Sequence, residues 1–157
     1  MTPQTKSDVC IAIIDDNASS VELVANALAS ESVDVITSTD PEEGLDLIFS
    51  RHPQIVITDL VMPKLSGMQI LERVIEYDPS IDVILMTAHY STDSAIEAIK
   101  KGATDYLTKP VSVATIRERT KRLIEHARQR LRASDLEREL LEASNFEGLI
   151  GRSPKML

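Results

Sequence analysis

Two adjacent carboxylates, Asp15 and Asp16, end one short apolar run of this sequence, and a third, Asp59, ends another. A hydroxyl, Thr87, and an ammonium, Lys109, stand at the ends of two further runs. Carboxylates that lie close together repel one another, and a hard divalent cation such as Mg²⁺ relieves that repulsion. One carboxylate can then attack phosphorus and form an acyl phosphate, while Lys109 neutralises phosphoryl charge and Thr87 donates a hydrogen bond. These residue types indicate a site that accepts a phosphoryl group.

Each of these residues also has an ordinary structural interpretation. The pair Asp15–Asp16 could cap the following helix, Asp59 could form a turn, and Thr87 could be a β-branched strand residue. Lys109 could be a solvated surface lysine, and Tyr106 a half-buried packing residue. The functional interpretation depends on whether the fold brings them together.

The elements that position these residues alternate along the chain. Short β-branched, nearly continuous apolar runs are typical of parallel strands covered on both faces, and they occur at 9–14, 33–37, 55–58, 83–87 and, more briefly, 105–107. Segments with apolar residues at helical spacing separate them, and several follow residues that can cap a helix, namely Asp16–Asn17, Asp40 and Ser91. Gly102 stands where one of these helices should end.

Five strands alternating with five helices predict an α/β fold, a doubly wound parallel sheet. The flavodoxin-like strand order 2-1-3-4-5 is the usual solution for five strands. Ligands of such sheets bind beyond the carboxyl ends of the strands. That edge is where Asp15, Asp16, Asp59, Thr87 and Lys109 should converge.

The last third of the sequence has a different character. No glycine or proline occurs between Val111 and Glu147, so a helix that begins near Ser112 could continue to about Ala143, roughly 45 Å at 1.5 Å per residue. Its apolar residues approximate a heptad seam, which predicts a partner helix and a homodimer; they are Ile116, Leu123, Ala127, Leu131, Leu136, Leu140 and Ala143.

Charge and composition restrict the class of protein. The net charge of −8 is unevenly distributed. Acidic side chains outnumber basic ones in residues 1–116, and basic side chains outnumber acidic ones in residues 117–157. An acidic globule argues against nucleic-acid binding, and we interpret the basic stretch 117–132 as a solvated face that flanks the dimer seam. Cys10 is the only cysteine, so no internal disulfide or cysteine zinc site is expected. No apolar run is long enough for a membrane span, and we expect a cytoplasmic protein.

Four motifs resemble the receiver domains of bacterial response regulators, the CheY-like family, over residues 8 to about 120. The motifs are Ile14-Asp15-Asp16-Asn17, Thr58-Asp59-Leu60-Val61-Met62-Pro63 with Gly67, Met86-Thr87-Ala88, and Tyr106-Leu107-Thr108-Lys109-Pro110. The resemblance implies that Asp59 is phosphorylated by a sensor histidine kinase. It also implies a signalling switch that is not an enzyme toward other substrates.

The resemblance further implies a role for each site residue. Asp16 and Asp59 would bind Mg²⁺ directly, Asp15 would assist through a water molecule, and the backbone carbonyl of Val61 would complete the shell. Lys109 would pair with the phosphoryl group, and its bond to Pro110 would be cis. Thr87 and Tyr106 would move on phosphorylation and change the surface of helix 4, strand 5 and helix 5.

The final residues, 146–157, resemble the opening of the AAA+ ATPase domain of NtrC-type, sigma-54-dependent activators. The resulting division is a receiver domain at 1–120, a helical linker that we expect to form a dimer coiled coil at 121–146, and the start of an AAA+ domain at 147–157. The resemblance implies that ATPase and DNA-binding domains belong to the same protein. This chain contains no phosphate-binding Gly-x-x-x-x-Gly-Lys-Ser/Thr loop.

Other interpretations remain open at this stage. A Mg²⁺-dependent phosphatase with an aspartyl nucleophile would usually have an acidic residue two positions after Asp59, where this chain has Val61. A flavodoxin-like cofactor carrier would need a Ser/Thr/Gly-rich loop in place of Asp15-Asp16-Asn17, and a degenerate receiver would serve only to bind proteins. Val61 also cannot orient an attacking water, and we hypothesise that it, with His89 as a second modulator, makes the acyl phosphate comparatively long-lived.

Overall fold

The computed structural model describes residues 9–150, with side chains for residues 9–143. Strands and helices alternate through this part: β1 (Val9–Ile14), α1 (Ala18–Ala27), β2 (Val33–Ser38), α2 (Pro41–Arg51), β3 (Ile55–Asp59), α3 (Gly67–Tyr77), β4 (Asp82–Thr87), α4 (Thr92–Lys100), β5 (Asp105–Thr108) and α5 (Val113–Ile150). The five strands form one parallel sheet in the order β2-β1-β3-β4-β5. The predicted fold and strand order are confirmed.

Helices cover both faces of the sheet, and successive side chains of β1 point alternately into the two apolar layers between the sheet and the helices. Ile11 and Ile13 belong to the apolar layer shared with α1 and α5, whereas Ala12 and Ile14 belong to the layer shared with α2, α3 and α4. Every residue of β1 is buried, which explains its nearly continuous apolar sequence. Each fully buried Ile or Leu contributes about 1.5–3 kcal/mol to this core, so both layers hold the strand ends firmly in place.

Local side chains fix where the helices begin and end. Asn17, Asp40 and Ser91 are the N-caps of α1, α2 and α4, and each accepts a hydrogen bond from the first turn. Ser66 and the third residue of α3 form a capping box. Gly102, at φ 106°, follows the end of α4 as predicted.

Helix α5 packs against the sheet well beyond the predicted receiver boundary at residue 120. Ile116, Ile124 and Ala127 are at most 2% exposed in the α1–α5 layer, and Leu123 and Leu131 pack against the same layer. The first half of the predicted heptad seam therefore faces the receiver core. For Ile116 and Ala127 the prediction that they face a partner helix is wrong, because the α1–α5 layer already buries them, whereas Leu123 and Leu131 are only partly buried.

The second half of α5 leaves its leucines exposed. Leu136, Leu140 and Leu141 are 58–62% exposed, as expected for a helix that projects from the domain. The helix continues to Ile150 rather than ending near Ala143; proline is absent from this stretch, and one glycine near a helix end costs only about 1 kcal/mol. Residues 151–157, most of the predicted AAA+ segment, lie outside the described part of the chain.

Two arginines of the basic stretch contact backbone carbonyls of the α1 side. Arg117 donates to the carbonyl of Ala27 at 2.9 Å, and Arg128 donates to that of Ser32 at 2.7 Å. These carbonyls lie at and beyond the end of α1, where helical partners are missing. These hydrogen bonds connect α5 to the end of α1 and to the α1–β2 loop, while Arg117 stays exposed, as the interpretation of a solvated face expects. Within residues 9–150, no helix is both long and apolar enough to cross a membrane.

Candidate functional site

Three carboxylates from two adjacent strands meet at the carboxyl edge of the sheet. Asp15 and Asp16 follow β1 and Asp59 ends β3, and one carboxylate oxygen from each lies within 4.8 Å of the others. Asp15 is 1% exposed and Asp59 7% exposed, while Asp16 faces solvent. The α1 cap is supplied by Asn17, which leaves Asp16 free of the capping role considered above.

Lys109, at the end of β5, reaches across this edge to the carboxylates. Its Nζ lies 2.7 Å from Asp15 Oδ2 and 3.1 Å from Asp59 Oδ1. The sheet order places β1, β3, β4 and β5 side by side, so a lysine distant in sequence becomes the counterion of both buried carboxylates. Charge-assisted hydrogen bonds of this length are stronger than neutral ones.

Burial and like charge act together on Asp59. Burial raises the pKa of its carboxyl group, the hydrogen bond from Lys109 partly offsets that rise, and the negative charges of Asp15 and Asp16 add to it. Burial alone would lower the pKa of Lys109, but its hydrogen bonds to Asp15 and Asp59, together with their negative charges, outweigh burial and the pKa is raised. One ammonium faces three carboxylates, which leaves a formal excess of negative charge at this edge.

Gly67 allows the backbone that follows Asp59 to approach α3 closely. A Cβ atom at this position would lie 2.2 Å from the Asp59 carbonyl oxygen and 2.8 Å from Leu60 Cα. The Gly67 amide donates to the Leu60 carbonyl at 2.8 Å, and the Leu60 amide donates to that of Met86. The glycine in the β3–α3 motif is therefore required by the path of the loop that carries Asp59.

Thr87 ends β4 and is 1% exposed. Its Oγ1 accepts a hydrogen bond from the His89 amide at 3.0 Å, and its carbonyl accepts one from the Lys109 amide at 2.7 Å. Thr87 pairs in register with Thr108 of β5, which puts it beside the strand that carries Lys109. The structure therefore brings Thr87 to the predicted edge.

Tyr106 of β5 is half-buried, and its hydroxyl is buried with no hydrogen-bond partner among the described residues. Its ring meets Tyr90 edge-on, with centroids 5.6 Å apart. A buried hydroxyl without a partner is costly. A change in the position of the Tyr106 side chain could therefore give its hydroxyl a hydrogen-bond partner.

The loops beside the carboxylates hold the remaining predicted residues. The Val61 side chain is 61% exposed, and the role of its carbonyl as a metal ligand stays a prediction. The bond between Lys109 and Pro110 is cis, as the resemblance implied.

The sequence analysis missed one residue of this site, Ser20. Its Oγ lies 3.4 Å from Lys109 Nζ. It occupies the first turn of α1, and no spacing in the sequence points to it, because its contact with Lys109 depends on how α1 packs against the sheet.

The donor set is suited to a small divalent cation. Clustered carboxylate oxygens match the oxygen ligands that Mg²⁺ prefers, and a cation there would relieve the excess negative charge noted above. A phosphoryl group is an anion, so a site that accepts it needs positive charge. Lys109 supplies that charge beside the carboxylates.

Comparison with known proteins gives a consistent result. The family model of the response regulator receiver domain matches residues 11–121. The chain is 30% identical over 145 residues to the regulatory protein LuxO of Vibrio cholerae, covering 92% of this chain and 30% of that protein. It is 28% identical to the DNA-binding transcriptional regulator NtrC of Escherichia coli K12, again covering 92% of this chain and 30% of the relative.

Among solved structures, a response regulator receiver domain protein from Clostridium thermocellum is 34% identical. It superposes with a TM-score of 0.70 and covers 75% of this chain and 95% of its own. The chain thus spans about a third or less of the length of the curated relatives named here, but nearly the whole of a solved receiver domain.

Proposed function

The chain belongs to the response regulator receiver domain family, and from this premise we propose that it is a signalling switch in which Asp59 accepts a phosphoryl group from the phosphohistidine of a sensor histidine kinase. The observation that carries the proposal is the position of Lys109, whose ammonium lies between Asp15 and Asp59 at the carboxyl edge of the sheet. No single element could build this arrangement. It needs three strands in the observed order.

We propose that Asp15, Asp16, Asp59 and the backbone carbonyl of Val61 hold Mg²⁺. When bound, Mg²⁺ supplies positive charge to the transferring phosphoryl oxygens. The support is the cluster of three carboxylates within 4.8 Å together with the raised pKa of Asp59. Lys109 supplies the second positive charge from the β5 side.

In the transfer step, a carboxylate oxygen of Asp59 forms a bond to phosphorus as the bond from phosphorus to the histidine nitrogen breaks. The electron pair of that bond leaves with the imidazole nitrogen, which takes a proton from solvent. Asp59 carries the phosphoryl group as an acyl phosphate. Lys109 remains within reach of the new phosphoryl oxygens.

Phosphorylation adds about −1.5 to −2 charges beside Thr87 and Lys109. We propose that the Thr87 hydroxyl turns toward the phosphoryl group and that Tyr106 follows it. The buried Thr87 and the unpartnered Tyr106 hydroxyl support this proposal. The affected surface would be that of α4, β5 and α5, where Ile96 and Ile99 are about half exposed.

The relatives suggest what this switch controls. NtrC is a DNA-binding transcriptional regulator and LuxO a regulatory protein, and this chain matches less than a third of each. We propose that the chain regulates an AAA+ ATPase domain and a DNA-binding domain of a sigma-54 activator, and that it forms a homodimer through the projecting part of α5. The absence of activity toward other substrates and the cytoplasmic location stay predictions.

The direct test is incubation of the protein with Mg²⁺ and acetyl phosphate, followed by intact mass measurement. We expect a mass gain of one phosphoryl group, because a P–O bond breaks and acetate leaves. The gain should disappear in Asp59→Asn and on chelation of Mg²⁺, and it should persist in Asp46→Asn, which changes an exposed carboxylate of α2. Equal labelling of Asp59→Asn and wild type would contradict the proposal.

The same samples distinguish the alternative function. A Mg²⁺-dependent phosphatase with Asp59 as nucleophile would release many phosphates per chain from phosphate esters. A switch should release about one phosphate per chain per labelling event, at the rate at which the acyl phosphate hydrolyses.

A further inference from the structure

Lys109 has an ammonium with three N–H donors, and the structure gives it three acceptors. Two are the carboxylates of Asp15 and Asp59, and the third is the hydroxyl of Ser20 at 3.4 Å. We propose that Ser20 is a positioning residue that holds the Lys109 ammonium beside Asp59 for phosphoryl transfer. This inference rests on the proposed function and assigns a role to a residue of α1.

The helix cap holds the backbone of Ser20 in place. The Ser20 amide donates to the side chain of the N-cap residue Asn17 at 3.1 Å, and the Asn17 amide donates to Asp15 Oδ1 at 3.0 Å. Ser20 is therefore connected through the helix cap to one of the carboxylates that Lys109 contacts. Movement of α1 relative to β1 would disturb both contacts together.

On the side of Lys109 that faces α1, Ser20 is the polar residue that contacts the ammonium. A cavity of about 310 Å³ opens there, and apart from Ser20 and Lys109 the side chains that line it are all apolar: Leu23, Val24, Met86, Ala88, Pro110, Val111 and Ile116. Without the hydroxyl, the third N–H of Lys109 would face this apolar wall or loosely held water. A charged donor without a fixed acceptor is expected to shift its position.

A hydroxyl also suits the reaction better than a third carboxylate would. A neutral acceptor forms a weaker bond to an ammonium than a carboxylate does, so it anchors Lys109 without withdrawing it from Asp59. It adds no negative charge that would repel the incoming phosphoryl group.

Two substitutions of the same shape isolate the hydroxyl. Ser20→Thr keeps the acceptor, whereas Ser20→Val replaces it with a methyl group. With acetyl phosphate and Mg²⁺, we expect the maximal phosphorylation rate of Ser20→Val to be roughly 3- to 10-fold lower, as for loss of one hydrogen bond of ordinary net strength, because the 3.4 Å contact is long. The half-saturating acetyl phosphate concentration should change little, and Ser20→Thr should stay near wild type. Ser19→Ala is the control, since it removes an exposed hydroxyl of the same helix.

A double-mutant cycle tests whether Ser20 acts through Lys109. In a Lys109→Ala background, Ser20→Val should cause no further loss of rate, because the partner of the hydroxyl is already gone. Equal maximal rates for Ser20→Val and Ser20→Thr would overturn the proposal, and so would additive losses in the cycle. Ser20→Ala replaces Ser20→Val if the latter melts well below wild type.

A second measurement keeps this inference separate from the proposed function. In Mg²⁺-free protein, the ¹H–¹⁵N signals of lysine ammonium groups report how firmly each is hydrogen-bonded. The Lys109 signal, assigned with Lys109→Arg, should broaden or shift in Ser20→Val and be retained in Ser20→Thr, while that of Lys101, paired with Glu72, should not change. Wild type that takes no phosphoryl group would refute the proposed function, whereas identical Lys109 signals in the Thr and Val variants would refute the role of Ser20.

Discussion

The carboxylate of Asp59 is 7% exposed and lies near two other carboxylates. Its pKa is raised chiefly by burial, with the hydrogen bond from Lys109 opposing the rise. The folded protein therefore holds a proton on Asp59 more tightly than the unfolded chain does. It follows that ionised Asp59 lowers the free energy of unfolding at pH values above its folded pKa, and that this cost disappears as the pH falls below the unfolded value of about 3.9.

We therefore expect Asp59→Asn to raise Tm at pH 7–8 in Mg²⁺-free buffer, because asparagine can accept the Lys109 hydrogen bond without a charge. For a chain of this size, about 1 kcal/mol changes Tm by ~2–4 °C, which thermal melts followed by circular dichroism can measure. The gain should shrink as the pH is lowered toward 4. Mg²⁺ should stabilise wild type more than Asp59→Asn, and Asp46→Asn should show neither effect. An Asp59→Asn variant that melts below wild type at pH 7–8 would contradict this account of the site.

Gly67 gives a second prediction at the residue scale. Gly67→Ala places a methyl group 2.2 Å from the Asp59 carbonyl oxygen, so the loop after β3 must move. We expect a loss of unfolding free energy of about 2 kcal/mol or more, together with slower phosphorylation. Urea unfolding measures the first and intact mass the second. Arg73→Ala, an exposed change on the same helix, should alter both little, and a fully stable, active Gly67→Ala would show that the loop tolerates the displacement.

Val61 gives the third prediction at the residue scale. Its side chain is 61% exposed beside the acceptor and has no polar atom with which to orient water. We expect Val61→Asn to hydrolyse the acyl phosphate roughly 10-fold faster, which is less than the 10²–10⁴-fold effect of a general acid or base because an amide orients water without taking its proton. The decay of the phosphorylated mass over time, after removal of acetyl phosphate, measures it. An unchanged decay rate would remove Val61 from consideration and leave His89 to be tested alone.

At this scale the sequence predicted the charged residues but missed Ser20. Asp15, Asp16, Asp59 and Lys109 were found because each follows an apolar run, and topology brings the ends of parallel strands together. Ser20 lies on a helix, and its contact with Lys109 depends on how α1 packs against the sheet, which residue spacing alone does not fix.

At the scale of elements, the five strands were predicted to within one residue at each end, because their apolar runs are buried on both faces. Helix α5 was predicted less well. Its periodicity reports which face is apolar, but it does not say whether that face meets the sheet or another chain. Ile124 and Ala127 proved to be core residues of the receiver, so the helix contributes to the domain beyond residue 120.

If α5 belongs to the receiver core beyond residue 120, truncating an isoleucine should destabilise the protein more on α5 than on α4. Ile124→Ala, at 1% exposure, should lower the free energy of unfolding by about 2–5 kcal/mol, whereas Ile96→Ala on α4, at 49% exposure, should change it by about 0.5 kcal/mol or less. Urea titrations of the two variants and of Ile124→Val give the comparison. If Ile124→Ala were as mild as Ile96→Ala, residues beyond 120 would belong to the linker alone.

At the scale of the whole molecule, two of the exposed apolar surfaces among the described residues are candidates for an interface with a second copy. One is the projecting part of α5, with Leu136, Leu140 and Leu141. The other is the α4 surface, with Tyr90, Ile96 and Ile99. The α5 leucines recur at helical spacing beyond the part of the helix that Arg117 and Arg128 connect to the α1 side, so a second copy could contact them without uncovering the receiver core.

We therefore predict a homodimer that forms through α5, and one substitution on each surface distinguishes the two candidate interfaces. Leu140→Glu buries a charge in the α5 interface and should weaken the dimer tenfold or more, a change of about 1.4 kcal/mol, whereas Ile99→Glu should leave dimerisation unchanged. Sedimentation velocity over a range of protein concentrations measures the dissociation constant, and the phosphoryl mass gain shows that both variants keep an intact site. The reverse result would place the interface on α4, next to the surface expected to change when Asp59 is phosphorylated. In that case phosphorylation should alter dimerisation directly, because the acyl phosphate would act on the interface through Thr87 and Tyr106 rather than through the orientation of α5.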